Sequence, residues 1–222
     1  MKKIFFYSLV ALIFIGCNDT KEAKLVESSN STKAAVSKPS TSAKEVKPFK
    51  PSLALKEAKE NQKLTKEFYK VFNDGAKIAP SGKPIMLIFG QPNDPYTKRL
   101  KEDVVNNKEL ANKIKEVTTP IYINARANKM HKFMHNGELM DVDTKTLTSI
   151  YAIKATPTII FLDTDAKSIF VVPGYMPPNQ FIATLEFLNG GDWVGKDRKN
   201  GEVYEELKKF YIAKGIKIKA KK

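Results

Sequence analysis

At 222 residues and 42% hydrophobic side chains, the chain is long enough for one ordinary globular core and too short for more than two small ones. Its single cysteine, Cys17, excludes an intramolecular disulfide and any cluster of thiolate metal ligands. A formal net charge of +14 favours anionic surfaces by long-range attraction.

The chain begins MKKIFFYSLVALIFIGC, in which Lys2 and Lys3 precede an uncharged stretch from Ile4 to Gly16. That run is shorter than the roughly 20 residues that span a bilayer, so residues 1–17 read as an export signal. Its close, FIGC, resembles the lipobox of bacterial lipoproteins. The resemblance implies a diacylated Cys17 at the mature N-terminus, with no free thiol, and a domain anchored to the bacterial cell envelope facing the periplasm. An ordinary secretory peptide ending at an incidental cysteine is the competing reading. For an exported, anchored chain the membrane surface is the nearest anionic partner, and nucleic acid is set aside.

Residues 18–52 are rich in Ser, Thr, Lys, Ala, Val and Pro, with neither a helical nor an alternating apolar period. Such a segment cannot bury enough apolar surface to offset its ordering entropy and reads as a disordered tether. Next, LALKEAKENQKLTKEFYKVFNDG spaces Leu53, Leu64, Phe68, Val71 and Phe72 as an amphipathic helix, closed by Asn73, Asp74 and Gly75. KPIMLIFG reads as a buried strand, PYTKRLKEDVVNNKELANKIKEV as one long or two broken helices, and TPIYINA as a second strand. TKTLTSIYAI reads as a helix, TPTIIFLD and SIFVVPG as strands joined by a polar turn, and QFIATLEFLNGG as a helix stopped by Gly190 and Gly191.

Strands linked through a helix are expected to be parallel, and those joined by a short turn antiparallel, so this order predicts a mixed sheet with helices on both faces. Farther on, EVYEELKKFYIAKG reads as one more amphipathic helix. It leads into the lysine-rich KGIKIKAKK, either a solvated tail or a polybasic contact to anionic lipid.

The strand-turn-helix KPIMLIFGQPNDPYTKRL, the segment YAIKATPTIIFLD and the order of elements resemble the thioredoxin superfamily over residues 53–191. Within it, the chain resembles in particular exported thioredoxin-like proteins of the sulfur-oxidation and cytochrome-maturation type. The resemblance implies a thioredoxin-like three-layer α/β/α sandwich with a central mixed sheet and an extra N-terminal helix, followed by a basic helical extension over residues 192–222. Thr156 and Pro157 fall where the family carries a cis proline facing the active site, and Gly174 and Tyr175 match the residues after the next strand.

In the family the turn reads Cys-x-x-Cys. The first thiol sits at a helix N-terminus, where unpaired N–H groups and the helix dipole lower its pKa, and the second resolves the mixed disulfide. Here the four positions are Asp94, Pro95, Tyr96 and Thr97, so the spacing and the Pro-Tyr interior remain while both sulfurs are gone. A carboxylate cannot form a mixed disulfide, a Thr hydroxyl has no adjacent base there to activate it, and Ile88 replaces a buried acid common in the family. Dithiol exchange is therefore lost, and no cofactor is implied. Asp94 suits a helix N-cap ahead of Pro95 at the first helical position, with a polar contact to a partner as the other reading.

NKMHKFMHNGELM holds Met130, His131, Met134 and His135 at spacings that align the two His and the two Met on one helical turn, and these donors suit copper. The competing reading is a hairpin-like loop before an Asn-Gly turn, with half-buried Met and exposed His. Zinc hydrolysis lacks a third ligand and a base.

Three functions compete. In the family, the groove beside the cis proline binds extended peptide by main-chain pairing to the residue before it, which needs no sulfur. The leading expectation is a non-enzymatic, membrane-tethered module that holds another envelope protein or an extended peptide at Thr156 and Pro157. The others are a thiol:disulfide oxidoreductase relative working with a partner's cysteines, in redox homeostasis or cytochrome c maturation, and a copper-handling protein.

Overall fold

A computed structural model describes residues 51–75 and 77–217; the export signal with Cys17, the tether through residue 50 and the end of the lysine-rich tail lie outside these described residues. The first elements are α1 (Pro51–Phe68), β1 (Asn73–Asp74), β2 (Lys77–Ile78), β3 (Ile85–Gly90), α2 (Pro95–Asn106), α3 (Lys108–Val117) and β4 (Thr119–Asn124). They are followed by β5 (Met130–His135), β6 (Glu138–Asp143), α4 (Thr144–Ile150), β7 (Thr158–Leu162), β8 (Ser168–Pro173), α5 (Pro178–Gly190) and α6 (Glu202–Ala213).

IMLIFG is apolar on both faces and is buried along its whole length, as a central strand covered on both sides must be. β3 lies parallel to β4 and antiparallel to β7 in a five-stranded mixed sheet of order β1-β4-β3-β7-β8. Successive side chains alternate between two cores. Met86, Ile88, Tyr122, Ile159 and Phe161 meet Phe68, Leu100, Ile114, Leu185 and Leu207 from five helices. Ile85, Leu87, Phe89, Ile121 and Ile160 meet Leu147 of α4 and a small sheet, β2-β5-β6, through Ile78, Phe133 and Val142. Helices thus cover both faces, with the small sheet completing the second. Among the described residues, no helix is long and apolar enough to cross a membrane.

The structure departs from the sequence reading at two places in this part of the chain. α1 stops at Phe68, because the Lys70 and Val71 N–H groups bond three residues back, to Glu67 O and Phe68 O; Phe72 then turns to stack on Phe68 at 4.3 Å. Asn73 and Asp74, read as a helix stop, form β1 against β4. Of the two readings of the Met/His segment, the hairpin is the one the structure adopts: β5 and β6 are joined through Asn136 (φ 49°) and Gly137 (φ 88°). Two successive positive φ angles are what an Asn-Gly hairpin turn supplies. The choice between one long helix and two resolves as two: Asn107 donates its N–H to Asp103 O, ending α2, and its Oδ1 accepts from Leu110 N at 3.0 Å, starting α3.

α6 lies beside β8, the last strand of the larger sheet, and buries Val203, Leu207 and Tyr211. The Tyr204 hydroxyl accepts from Val171 N at 2.9 Å and donates to Val171 O at 2.8 Å, answering main-chain groups that an edge strand otherwise leaves open. Arg198 pairs with Asp163 Oδ2 at 2.7 Å and reaches Ser168 O at 3.4 Å, pinning the preceding loop to the same edge. Tyr204→Phe is expected to lower stability by roughly 0.5–1.5 kcal/mol, read as the urea midpoint at unchanged slope. An unchanged midpoint would show that solvent serves Val171 equally well.

Candidate functional site

β3 ends at Gly90, where a Cβ would lie 2.8 Å from Thr97 Cγ2 and 2.8 Å from the Tyr122 ring and hydroxyl; only glycine allows this approach. The chain then turns into α2, with Pro95 at its start. Asp94 caps the helix: Oδ2 accepts from Thr97 N at 2.9 Å and from Thr97 Oγ1 at 2.5 Å, and Oδ1 accepts from Tyr96 N at 3.4 Å. Thr97 Oγ1 in turn accepts from Gln91 N at 3.3 Å.

A carboxylate therefore does stand beside the Thr97 hydroxyl, contrary to the sequence expectation that no base is adjacent. The pair still makes no nucleophile. The carboxylate is committed to helix N–H groups, and Thr97 is only 1% exposed, so the contact closes the first turn. Tyr96, by contrast, is 58% exposed and stands out of the turn.

Beneath the turn lies a polar pair that the sequence did not announce. Tyr122 is 1% exposed and its hydroxyl has no hydrogen-bond partner among the described residues. Burial, with the charges of Tyr69 and Asp94, pushes its phenol well above the usual tyrosine range. Lys101, one turn past Thr97 on α2, is 7% exposed and makes no salt bridge within 4.0 Å among the described residues. Its Nζ lies over the Tyr122 ring at 4.7 Å and the Phe68 ring at 5.4 Å, and burial lowers its pKa. Ile88, on the face of β3 that meets this pair, is fully buried.

Across the turn, the Thr156–Pro157 peptide is cis, Pro157 is buried and Thr156 is half-buried. Gly174 N donates to Pro157 O at 2.7 Å, with Gly174 at φ 93°. The next residue, Tyr175, donates its hydroxyl to Asp103 Oδ2 at 2.5 Å, under the Arg99 guanidinium 4.8 Å from its ring. Burial and the Asp103 carboxylate push that phenol up to about 12. These contacts tie α2 to the loop after β8. Thr156 belongs to no strand, and its N–H and C=O have no partner among the described residues. It lines a cavity of about 410 Å³ with Gln91, Pro92, Asn93, Asp94 and Arg126. The structure thus brings Asp94 and Thr156 to one cavity and adds Gln91 and Arg126, which carry no motif.

The four Met/His donors do not converge. On a strand, Met130 and Met134 face one side and His131 and His135 the other. His131, expected to be exposed, is buried: its Nδ1 donates to Gly75 O and its Nε2 is hydrogen-bonded with Thr144 Oγ1 at 2.8 Å, so neither ring nitrogen is free. Met130 is exposed and only Met134 is half-buried.

Residues 71–189 match the family described as the thioredoxin-like domain. Among solved structures, a thioredoxin-fold protein from Helicobacter pylori is similar at 34% identity, over 69% of this chain and 98% of that one, with a TM-score of 0.64. Chloroplastic thioredoxin z is similar at 14% identity, over 54% of this chain and 97% of that one, with a TM-score of 0.38. No curated protein matches.

Asp94→Ala should cost about 1 kcal/mol, a fall of roughly 2–4 °C in Tm, whereas Asp94→Asn, still a good cap, should cost far less. Equal losses would show that charge, not capping, matters at this position. Lys101 gives a pH test. Its folded pKa lies below the ordinary 10.5, so burial of the charge costs stability at neutral pH. As pH rises through the folded pKa toward 10.5, the folded state sheds the proton first and that cost is relieved. Below pH 10, where Tyr69 and Tyr122 stay protonated, the wild type should gain stability with rising pH while Lys101→Met, more stable at pH 7, shows a flatter profile. Parallel profiles would refute the assignment.

Proposed function

Because the chain belongs to the thioredoxin-like family, we propose that it is a member without dithiol chemistry that holds an extended segment of another envelope protein beside Thr156. The carrying observation is the unused main-chain pair of Thr156 at the wall of a cavity bounded by Gln91, Pro92, Asn93, Asp94 and Arg126. Extended peptides draw affinity from such main-chain groups and specificity from the side pockets next to them. Tyr96, exposed on the α2 side of the turn, offers an aromatic surface of the kind that anchors protein partners.

Loss of exchange chemistry is supported by what stands at positions 94 and 97. Asp94 and Thr97 carry no sulfur and are consumed by the helix cap, and the buried position 88 is apolar. Tethering is supported by the FIGC sequence at Cys17, with a Ser/Thr/Lys-rich linker behind it and a positive net charge that draws the domain toward anionic lipid.

Two measurements test the halves of this reading separately. Insulin reduction by dithiothreitol should run no faster with the protein than without it, and a clear acceleration ends the redox-inactive half. With a benzoyl-phenylalanine in place of Tyr96, light should crosslink the protein to reduced, carboxymethylated lactalbumin, which is permanently unfolded, and not to folded lactalbumin. Equal labelling of both, or of neither, sinks the holding function.

A further inference from the structure

Parallel strands β3 and β4 end in register, Gly90 opposite Asn124, and so deliver the residues after them side by side. One of these, Gln91, follows β3; the other, Arg126, sits in a turn fixed by Arg126 N donating to Asn124 Oδ1 at 3.0 Å and Ala127 N to Asn124 O at 2.9 Å. The Arg126 side chain is also oriented. Its Nε donates to Gln91 Oε1 at 2.9 Å, which turns the guanidinium into the cavity shared with Thr156.

Having spent Nε on Gln91, the guanidinium keeps its terminal nitrogens, and these have no hydrogen-bond or ion-pair partner among the described residues. Asp94 lines the same cavity but forms no ion pair with Arg126 within 4.0 Å, its oxygens accepting the bonds of the α2 cap instead. An oriented guanidinium without a carboxylate partner at the wall of a peptide groove is a carboxylate receptor: a planar fork that matches the two oxygens of an acid.

Resting on the groove reading above, we propose that the segment held beside Thr156 carries an internal Asp or Glu side chain that docks on Arg126. The net charge of +14 works in the same direction, drawing acidic chains in from a distance, while Arg126 supplies the local selection. Gln91 acts as a positioning residue by holding Nε.

The test uses short fluorescein-labelled peptides of alternating valine and serine, with one position, moved along the peptide, occupied by aspartate, asparagine or lysine. At one register the aspartate peptide should bind wild type about 10-fold tighter than its asparagine twin, the scale of one charge-assisted hydrogen bond. Arg126→Gln should bring that ratio to about 1 by weakening the aspartate peptide more than the asparagine one. Arg126→Lys should keep part of the preference, and Gln91→Ala should shrink it without loss of Tm.

Equal binding of aspartate and asparagine peptides at every register overturns the proposal while leaving the groove intact, provided the Thr156 amide resonance moves on titration. An acid preference that persists in Arg126→Gln also overturns it, by assigning the effect to net charge alone. If no peptide moves the Thr156 amide, the groove reading itself fails and takes this one with it.

Discussion

Thr97 and Tyr122 close to within 2.8 Å of the place where a side chain on Gly90 would begin, and the whole upper end of the molecule is built on that contact. The sheet can bring Tyr122 under the first turn of α2 only because Gly90 leaves the space, and α2 can sit there only because Asp94 stops and caps it at the right residue. Everything beyond follows from this placement: the half-buried Thr156 on one side, the oriented Arg126 on another, and a buried phenol and ammonium below. In energetic terms the site is a trade. A tight, well-capped turn is gained, and an unanswered hydroxyl and a dehydrated lysine are tolerated beneath it.

The start of α2 shows how the turn is held with no sulfur at positions 94 and 97. A helix N-terminus favours negative charge and acceptors for its free N–H groups, which is the property that lowers the pKa of a thiol placed there. Asp94 answers the same demand with its side-chain oxygens. It satisfies two backbone donors and the Thr97 hydroxyl, so the same field serves here to fix the first turn. The geometry of the turn is set by an acceptor at the helix start, whichever anion supplies it.

Most of the fold was legible in the sequence because long apolar runs and caps carry their own signal. IMLIFG and TIIFL are too uniformly apolar for anything but covered strands, and Asp94 ahead of Pro95 marks a helix start without ambiguity. The two-residue strands β1 and β2 were invisible, since two residues have no period and their pairing is set wholly by distant partners. The hairpin was legible from its Asn-Gly turn, but not the burial of His131, which counts as polar in a pattern yet is held here by Gly75 and Thr144. Arg126 gave no signal as a lone arginine after a strand. The available clue was positional: parallel strands ending together place their following residues at the rim where α/β folds collect ligands.

The stretch that matches the family ends at residue 189, yet the outer strand of the sheet is answered from Arg198 and Tyr204. A chain trimmed to the matched span keeps every strand and loses the only side chains among the described residues that occupy the outer main-chain groups of β8. It also uncovers the apolar strip beneath Val203, Leu207 and Tyr211. A bare edge beside a greasy strip is a template for a neighbouring molecule's strand. Shape and edge cover are thus written in different parts of this chain: the strand-rich middle makes the domain, and a helix that contributes no strand lies over its open side.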